Sequence, residues 1–206
     1  MTTVLSVSFE EREKWDSFYK TNAPDQLPWE TGRAEPDLAE LIKQGVVDEG
    51  RVLDICCGLG TQTIYMAKQG FEVYGIDISS TAVKLAQERC SEEGVACHLT
   101  QGDASDLKYP DGFFTFVFDR GCFHSMSPER LETYIRGIHR VLKDGGKYYM
   151  KCFSSRNGNW VNSFTEQDIR NYFSPLFKIL EINEYTHVEN TYGQRVYLYG
   201  VLMETR

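Results

Sequence analysis

No stretch of about 18 consecutive apolar residues occurs in this chain, so no membrane-spanning helix is expected. No Lys/Arg-rich run occurs either, and 22 Lys plus Arg against 30 Asp plus Glu give a formal net charge of −8. A duplex phosphate backbone or an anionic membrane surface is therefore not expected as the main partner. The first residues lack a charged-then-apolar leader, so no secretory signal is expected. The cysteines, Cys56, Cys57, Cys90, Cys97, Cys122 and Cys152, include no C-x-x-C pair and sit in apolar segments, which argues against a zinc or dithiol motif. Free thiols in a reducing cytoplasm are the expectation. His98, His124, His139 and His187 form no metal-ligand spacing, and no metal is expected. Repeats and low-complexity segments are absent as well.

What is present suits one globular domain: 206 residues, 41% apolar and 25% charged. A chain of this length can bury a sizeable core. It divides into an N-terminal arm, residues 1–33, and a core, residues 34–206. In the arm, Ser8 with Glu11 three residues on reads as a capping box for a helix carrying Trp15, Phe18 and Tyr19 on one face. A Pro-containing loop, 22–32, leads to a helix beginning near Pro36.

Alternation then sets in. Residues 52–55 read as a strand, 61–68 as a helix stopped by Gly70, and 71–76 as a second strand. Ser79 or Ser80 caps a helix reaching Gly94. Residues 95–99 and 113–118 are the third and fourth strands, the latter apolar almost throughout, as a strand covered on both faces should be. Ser127 caps the next helix with Pro128 at its first position, and Gly145-Gly146 ends it. A fifth strand covers 147–153. Thr165 with Asp168 opens a short helix, and two strands near 177–185 and 196–203 close the chain. This order implies an α/β fold: a mostly parallel sheet with an antiparallel edge and helices on both faces.

The strongest local signal is Val52-Leu53-Asp54-Ile55-Cys56-Cys57-Gly58-Leu59-Gly60-Thr61, a strand running through a glycine-rich turn into a helix. Glycines permit a tight turn and close approach of a ligand, and the helix N-terminus offers free amides. Thr63 stands where a dinucleotide fingerprint would have its third glycine. Asp54 suits a cationic ligand, an ammonium or sulfonium; alternatively it caps the loop's own amides. Asp77, ending the second strand, can accept both hydroxyls of a ribose. Asp103, ending the third, can accept the exocyclic amine of adenine. Three carboxylates at the carboxyl ends of three successive strands favour a ligand over solvated loops.

At these residues the chain resembles the class I S-adenosylmethionine-dependent methyltransferases, over roughly 50–206 and more loosely in the arm. The resemblance implies a Rossmann-like sheet of seven strands with the last antiparallel. It implies S-adenosyl-L-methionine as methyl donor, leaving S-adenosyl-L-homocysteine, with Asp54, Gly58 and Gly60 forming the methionine-binding turn. Asp77 would bind the ribose and Asp103 with Ala104 the adenine, with Ile78, Cys56, Trp29 and Asp119 also on the cofactor side. A narrower likeness rests on Phe118-Asp119-Arg120-Gly121-Cys122, on Ser127-Pro128-Glu129-Arg130 and on Pro28-Trp29-Glu30-Thr31-Gly32. These are similar to thiopurine and thiol S-methyltransferases and, more distantly, to tellurite-resistance methyltransferases. The Asn/Asp-Pro-Pro-Tyr motif of amino-methylating nucleic-acid enzymes is missing after the fourth strand.

The expected function is methylation of a small molecule at sulfur or a related chalcogen. The alternatives are a protein methyltransferase acting on lysine or an N-terminus, and a cofactor-binding regulator without turnover. Asp119, Arg120 and His124 are the candidate catalytic residues, and Tyr19, Arg120, Cys122 and Trp160 the candidate substrate contacts. Arg120 either orients an anionic acceptor or pairs with a carboxylate and shapes the loop. His124 either contacts the substrate or is structural. Cys56, Cys122 and Cys152 either cluster around a soft metalloid or are buried hydrophobes. Trp15, Tyr19 and Trp29 either wall the site, where a sulfonium would meet aromatic faces, or pack the arm on the core. No nucleic-acid or membrane partner is expected, and monomer and dimer both remain open.

Overall fold

Residues 8–158, 162–188 and 195–206 are described by a computed structural model. Strand β1 (Arg51–Ile55) is an interior strand of a seven-stranded sheet. It pairs in parallel with β2 (Glu72–Asp77) on one side and β4 (Phe114–Arg120) on the other. With β3 (His98–Gln101), β5 (Leu142–Phe153), β6 (Phe177–Val188) and β7 (Arg195–Thr205), the sheet order is β3-β2-β1-β4-β5-β7-β6. β7 runs antiparallel to both β5 and β6, the expected antiparallel last strand. The order reverses between β1 and β4, which puts a ligand crevice beyond the carboxyl ends of these strands.

Two apolar layers flank the sheet. In β4, Phe116 and Phe118 face a layer with Val52, Leu38 and Leu41 of α2 (Pro36–Lys43) and Met66 of α3 (Thr61–Lys68). Phe114 and Val117 face the opposite layer, with Phe123 of α5 (Cys122–Ser125), Tyr134 and Ile138 of α6 (Leu131–Val141), and Ile169 and Phe173 of α7 (Glu166–Phe173). Helices therefore cover both faces. Helix α4 (Ser80–Glu92) packs beside β2 and β3. The arm helix α1 (Phe9–Thr21) starts at Ser8, whose hydroxyl accepts from the Glu11 amide at 3.1 Å. Its Tyr19 joins Leu27, Leu59 and Ala82 in a smaller apolar cluster.

Several boundaries differ from the sequence expectation, three of them in ways that matter to the fold. β3 begins at His98 rather than Val95. β5 begins at Leu142, directly after α6, and not beyond Gly145-Gly146. Its pairing with β4 shifts register between Phe114 and Phe116, so the glycines sit in an irregular stretch of strand. Ser127 precedes a 3-10 turn (Pro128–Arg130) and makes no side-chain capping bond there. Among the described residues, no helix is long and apolar enough to cross a membrane.

Candidate active site

Beyond Ile55 the chain turns through Cys56, Cys57, Gly58, Leu59 and Gly60 into α3. The Cys57 amide donates to Ile76 O at 3.0 Å, tying the turn to β2. Gly58 and Gly60 have φ of +53° and +75°. A Cβ on Gly58 would lie 2.9 Å from the Tyr19 hydroxyl, and one on Gly60 3.0 Å from Cβ of Ala86. Glycine is thus required twice: once where the arm closes on the turn and once where α3 meets α4. Cys56, at φ +56°, is a non-glycine residue in the left-handed region, a placement costing about 1–2 kcal/mol that clusters at functional sites.

Asp77, at the tip of β2, holds this turn. Its Oδ2 accepts from the Gly58 amide at 2.9 Å and its Oδ1 from the Ser79 amide at 2.9 Å. Burial pushes its carboxyl up to about 6 against the pull of those amides. Asp54, one residue inside β1, accepts from the Thr63 hydroxyl at 2.6 Å. Burial, with added repulsion from Asp77 and Asp119, raises it to about 7. The two carboxylates nearest the turn are therefore costly to ionise without a cation beside them.

Two adjoining hollows open above these strand tips. The larger, with about 780 Å³ of empty space, is lined by Asp77, Ile78, Asp103 and Ala104 at one end and by Arg120, Gly121, Cys122, His124, Ser125 and Met126 at the other. Glu11, Trp15 and Arg130 also border it. The smaller, about 430 Å³, is lined by Asp54, Gly58, Thr61, Gln62 and Glu30 among others. Tyr19, Trp29, Cys56 and Arg120 border both, so the two hollows share a wall and are treated together as the cleft.

The arm forms part of this wall and is tied down at several points. Trp29 packs against Trp15, Phe18 and Tyr19, with ring centroids 5.8, 5.2 and 6.1 Å apart. Asp16 Oδ1 accepts from the Ser79 hydroxyl at 2.8 Å and the Thr81 amide at 2.8 Å, capping α4 from outside. Glu30 accepts from Thr61 Oγ1 at 2.6 Å. Arg120 Nε donates to Glu35 at 2.6 Å and its Nη1 to the Trp29 carbonyl at 2.6 Å. Glu35 also pairs with the buried Lys151, which reaches Asp37 at 2.8 Å. The arm packs on the core, and Trp15, Tyr19 and Trp29 border the cleft.

Asp119 occupies a different place from the one expected. It is fully buried, borders neither hollow, and lies on the face of β4 opposite Phe118. Its carboxylate accepts from the amides of Cys122 at 2.7 Å and Phe123 at 3.2 Å, and from the hydroxyls of Tyr134 at 2.6 Å and Tyr148 at 2.8 Å. It anchors the loop that carries His124. Burial raises it to about 6, opposed by Tyr134 and Tyr148.

The other expected residues are placed as follows. Asp103 accepts from the Ser105 amide and hydroxyl, each at 2.9 Å, and from Arg130, which also bonds Glu11 at 3.2 Å. Gly60 supports the turn without bordering the cleft, and Trp160 lies outside the described residues. The expectation of six free thiols is corrected: Cys56 and Cys122 form a disulfide, while Cys57, Cys90, Cys97 and Cys152 are free. Ile55 and Asp119 are register partners in adjacent strands, so the chains leaving those tips pass with Cα atoms of the two cysteines 5.6 Å apart. Sequence reasoning missed Glu30, Thr61, Ser125 and Met126 as lining residues. Glu30 and Thr61 lie within motifs read from the sequence without being assigned to the site, and Ser125 and Met126 carry no motif; only the tertiary fold brings the four to the cleft.

The donor set fits a nucleoside bearing a cationic amino-acid tail. A glycine-floored turn under an aromatic arm provides close approach, carboxylates stand at the tips of β1 and β2 and beyond β3, and the smaller hollow holds Asp54 and Glu30. The family described as "Methyltransferase domain" matches residues 52–146, which contain β1 to the start of β5. A 2-heptyl-1-hydroxyquinolin-4(1H)-one methyltransferase of Mycobacteroides abscessus is 34% identical over 147 residues, covering 69% of this chain and 64% of that protein. A probable thiol methyltransferase of Arabidopsis thaliana is 28% identical over 140 residues, covering 68% of this chain and 61% of that protein. The chain thus matches under two thirds of the length of either relative. Among solved structures, the 1,6-didemethyltoxoflavin-N1-methyltransferase of Burkholderia thailandensis, with its substrate and S-adenosylhomocysteine bound, shares the fold. It superposes with a TM-score of 0.76 at 20% identity, over 94% of this chain and 86% of that one.

Proposed function

The chain belongs to the class I S-adenosylmethionine-dependent methyltransferases, and from that premise we propose that it methylates a small molecule at sulfur or a related chalcogen. The observation carrying this reading is the chemical asymmetry of the cleft. Carboxylates of the arm and of the β1, β2 and β3 tips border it beside the glycine turn, while the loop from Arg120 to Met126 contributes none. The names of two relatives support it: one acts on a hydroxyquinolinone and the other is a probable thiol methyltransferase.

When bound, S-adenosylmethionine supplies an electrophilic methyl group on a positively charged sulfur. Asp77 would accept from the ribose hydroxyls with the lone pairs its two amide bonds leave, since a carboxylate has about four acceptor positions. Asp103 and Ala104 would border the adenine, and Asp54 with Glu30 would face the ammonium. Trp29 and Tyr19 would lie over the bound group. The protein's contribution is mainly alignment, worth effective molarities on the order of 10⁵ M or more for well-oriented reactants.

Ligand binding should release protons. Asp54 sits near half-ionisation at neutral pH because burial raises its carboxyl to about 7, and a cation placed beside it favours the charged form. Titrations with S-adenosylmethionine at about pH 6.5, in buffers of different ionisation enthalpy, should therefore show net proton release, replaced above about pH 9 by uptake as the free ligand's α-amino group loses its proton. Affinity should weaken as the pH falls through 7. Affinity that is flat from pH 5.5 to 8 would remove Asp54 from the ammonium site.

The acceptor class is tested by supplying donor with a trideuteromethyl group to panels of small thiols, selenols, heteroaromatic hydroxyls, amines and a peptide pool, with mass spectrometry of the products. Label in small thiols or selenols is the expected result. Label confined to peptides would assign a protein methyltransferase instead.

A further inference from the structure

The carboxylates that border the cleft come from the arm and the tips of β1, β2 and β3, and none belongs to the β4–α5 loop. Glu11 and Asp103 both pair with Arg130, Asp77 holds the Gly58 and Ser79 amides, and Asp54 and Glu30 border the smaller hollow. The loop itself contributes Arg120 and His124. Arg120 spends Nε on Glu35 and Nη1 on the Trp29 carbonyl, bonds that do not involve Nη2.

His124 has a fixed posture. Its ring stacks on Phe153, centroids 3.9 Å apart with 25° between planes. Nδ1 is buried and has no hydrogen-bond partner among the described residues, while the ring as a whole is partly exposed and borders the cleft. A buried N–H without an acceptor is rarer and costlier than an unfilled acceptor position. The single proton of the neutral ring therefore sits on Nε2. Protonation to the cation is opposed by burial and then by the neighbouring Arg120 guanidinium, which hold the ring well below the ordinary histidine range, at about 3. Such a ring donates a hydrogen bond from Nε2 and cannot usefully accept a proton from a substrate near neutrality.

We propose that His124 is a specificity-determining hydrogen-bond donor, which with Arg120 receives the acceptor already ionised at its reacting heteroatom. The acceptor class is then a weak acid whose anion forms in water: a thiol, selenol or acidic heteroaromatic hydroxyl, and not an amine. This rests on the methyl-transfer reading above and names the substrate chemistry at the same site. The acceptor's proton goes to solvent before the step. One of its lone pairs forms the bond to the methyl carbon, and the carbon–sulfur bonding pair stays on the donor sulfur, which becomes a neutral thioether. His124 keeps its proton throughout.

The test is kcat/KM against pH for a series of aryl thiols of graded acidity, with matched anilines, using intact protein. The rising limb should move with the pKa of each thiol, and anilines should be slower by at least about a hundredfold. His124→Ala should raise the thiol KM about tenfold with S-adenosylhomocysteine affinity unchanged within about twofold. His124→Gln, which restores an N–H near the Nε2 position, should recover most of the loss. The proposal is overturned if the limb stays at one pH across the series, if anilines react as fast as thiols, or if Gln fails like Ala while both variants bind S-adenosylhomocysteine normally. Absence of methyl transfer to any class would instead overturn the reading beneath it, and this inference with it.

Discussion

Asp77→Ala should lose measurable binding of S-adenosylhomocysteine, a drop of at least about a hundredfold. Two effects combine. The carboxylate is the candidate ribose acceptor, and a hydrogen bond to a charged group contributes about 1.5–3 kcal/mol. It is also the clasp on the glycine turn, since its two oxygens hold the amides of Gly58 and Ser79. Removing it frees the turn and leaves two buried amides without partners. Asp77→Asn keeps one acceptor oxygen and should retain part of the affinity. Calorimetry measures the binding, and thermal melts with circular dichroism show that the Ala variant is still folded. If Asp77→Ala bound within about threefold of the wild type, the ribose assignment would be wrong.

Asp119→Ala should produce the largest loss of stability of any single substitution around the cleft. Four donors converge on a carboxylate with no solvent exposure. Deleting the acceptor strands two amides and two phenols in the core, a change costing about 3–5 kcal/mol. At about 2–4 °C per kcal/mol for a domain of this size, the melting temperature should fall by roughly 10 °C or more. Asp119→Asn should cost less, because phenol hydroxyls can rotate to meet an amide.

The pH dependence carries an opposite sign to the usual carboxylate. The folded carboxyl titrates at about 6, above its unfolded 3.8, because burial outweighs the donors. Between those values the folded state holds more protons, so this site's contribution is present at low pH and is lost as the pH rises through 6. Wild type should therefore gain from this site on moving from about pH 7.5 to 5, and Asp119→Asn should lack that gain. Equal pH responses in the two proteins would contradict the assignment.

Much of the central architecture was legible because local rules there agree with the tertiary result. The run from Val52 to Thr61 combines a buried strand, glycines at two left-handed positions and a helix start, and it folds as read. Asp77 falls at the tip of β2 as expected, and Thr165 with Asp168 forms the capping box at α7. Asp119 was misjudged for a simple reason. Proximity to a strand tip suggested the cleft, but the two-residue period of a strand turns Asp119 toward Tyr134 and Tyr148 and gives the cleft to Arg120. The start of β3 was hidden because Val95-Ala96-Cys97 is apolar without being a strand. Contacts between distant segments left no local signal at all: Glu35 with Arg120 and Lys151, Asp16 at the start of α4, Arg130 between Glu11 and Asp103, and Cys56 with Cys122.

The acidic strand tips and the glycine bend must seat a nucleoside product for any of the chemistry to follow. Isothermal titration of the intact wild-type chain with S-adenosylhomocysteine is the most direct check. One site per chain with saturable heat is the predicted result; no heat and no thermal shift at millimolar ligand would contradict the account.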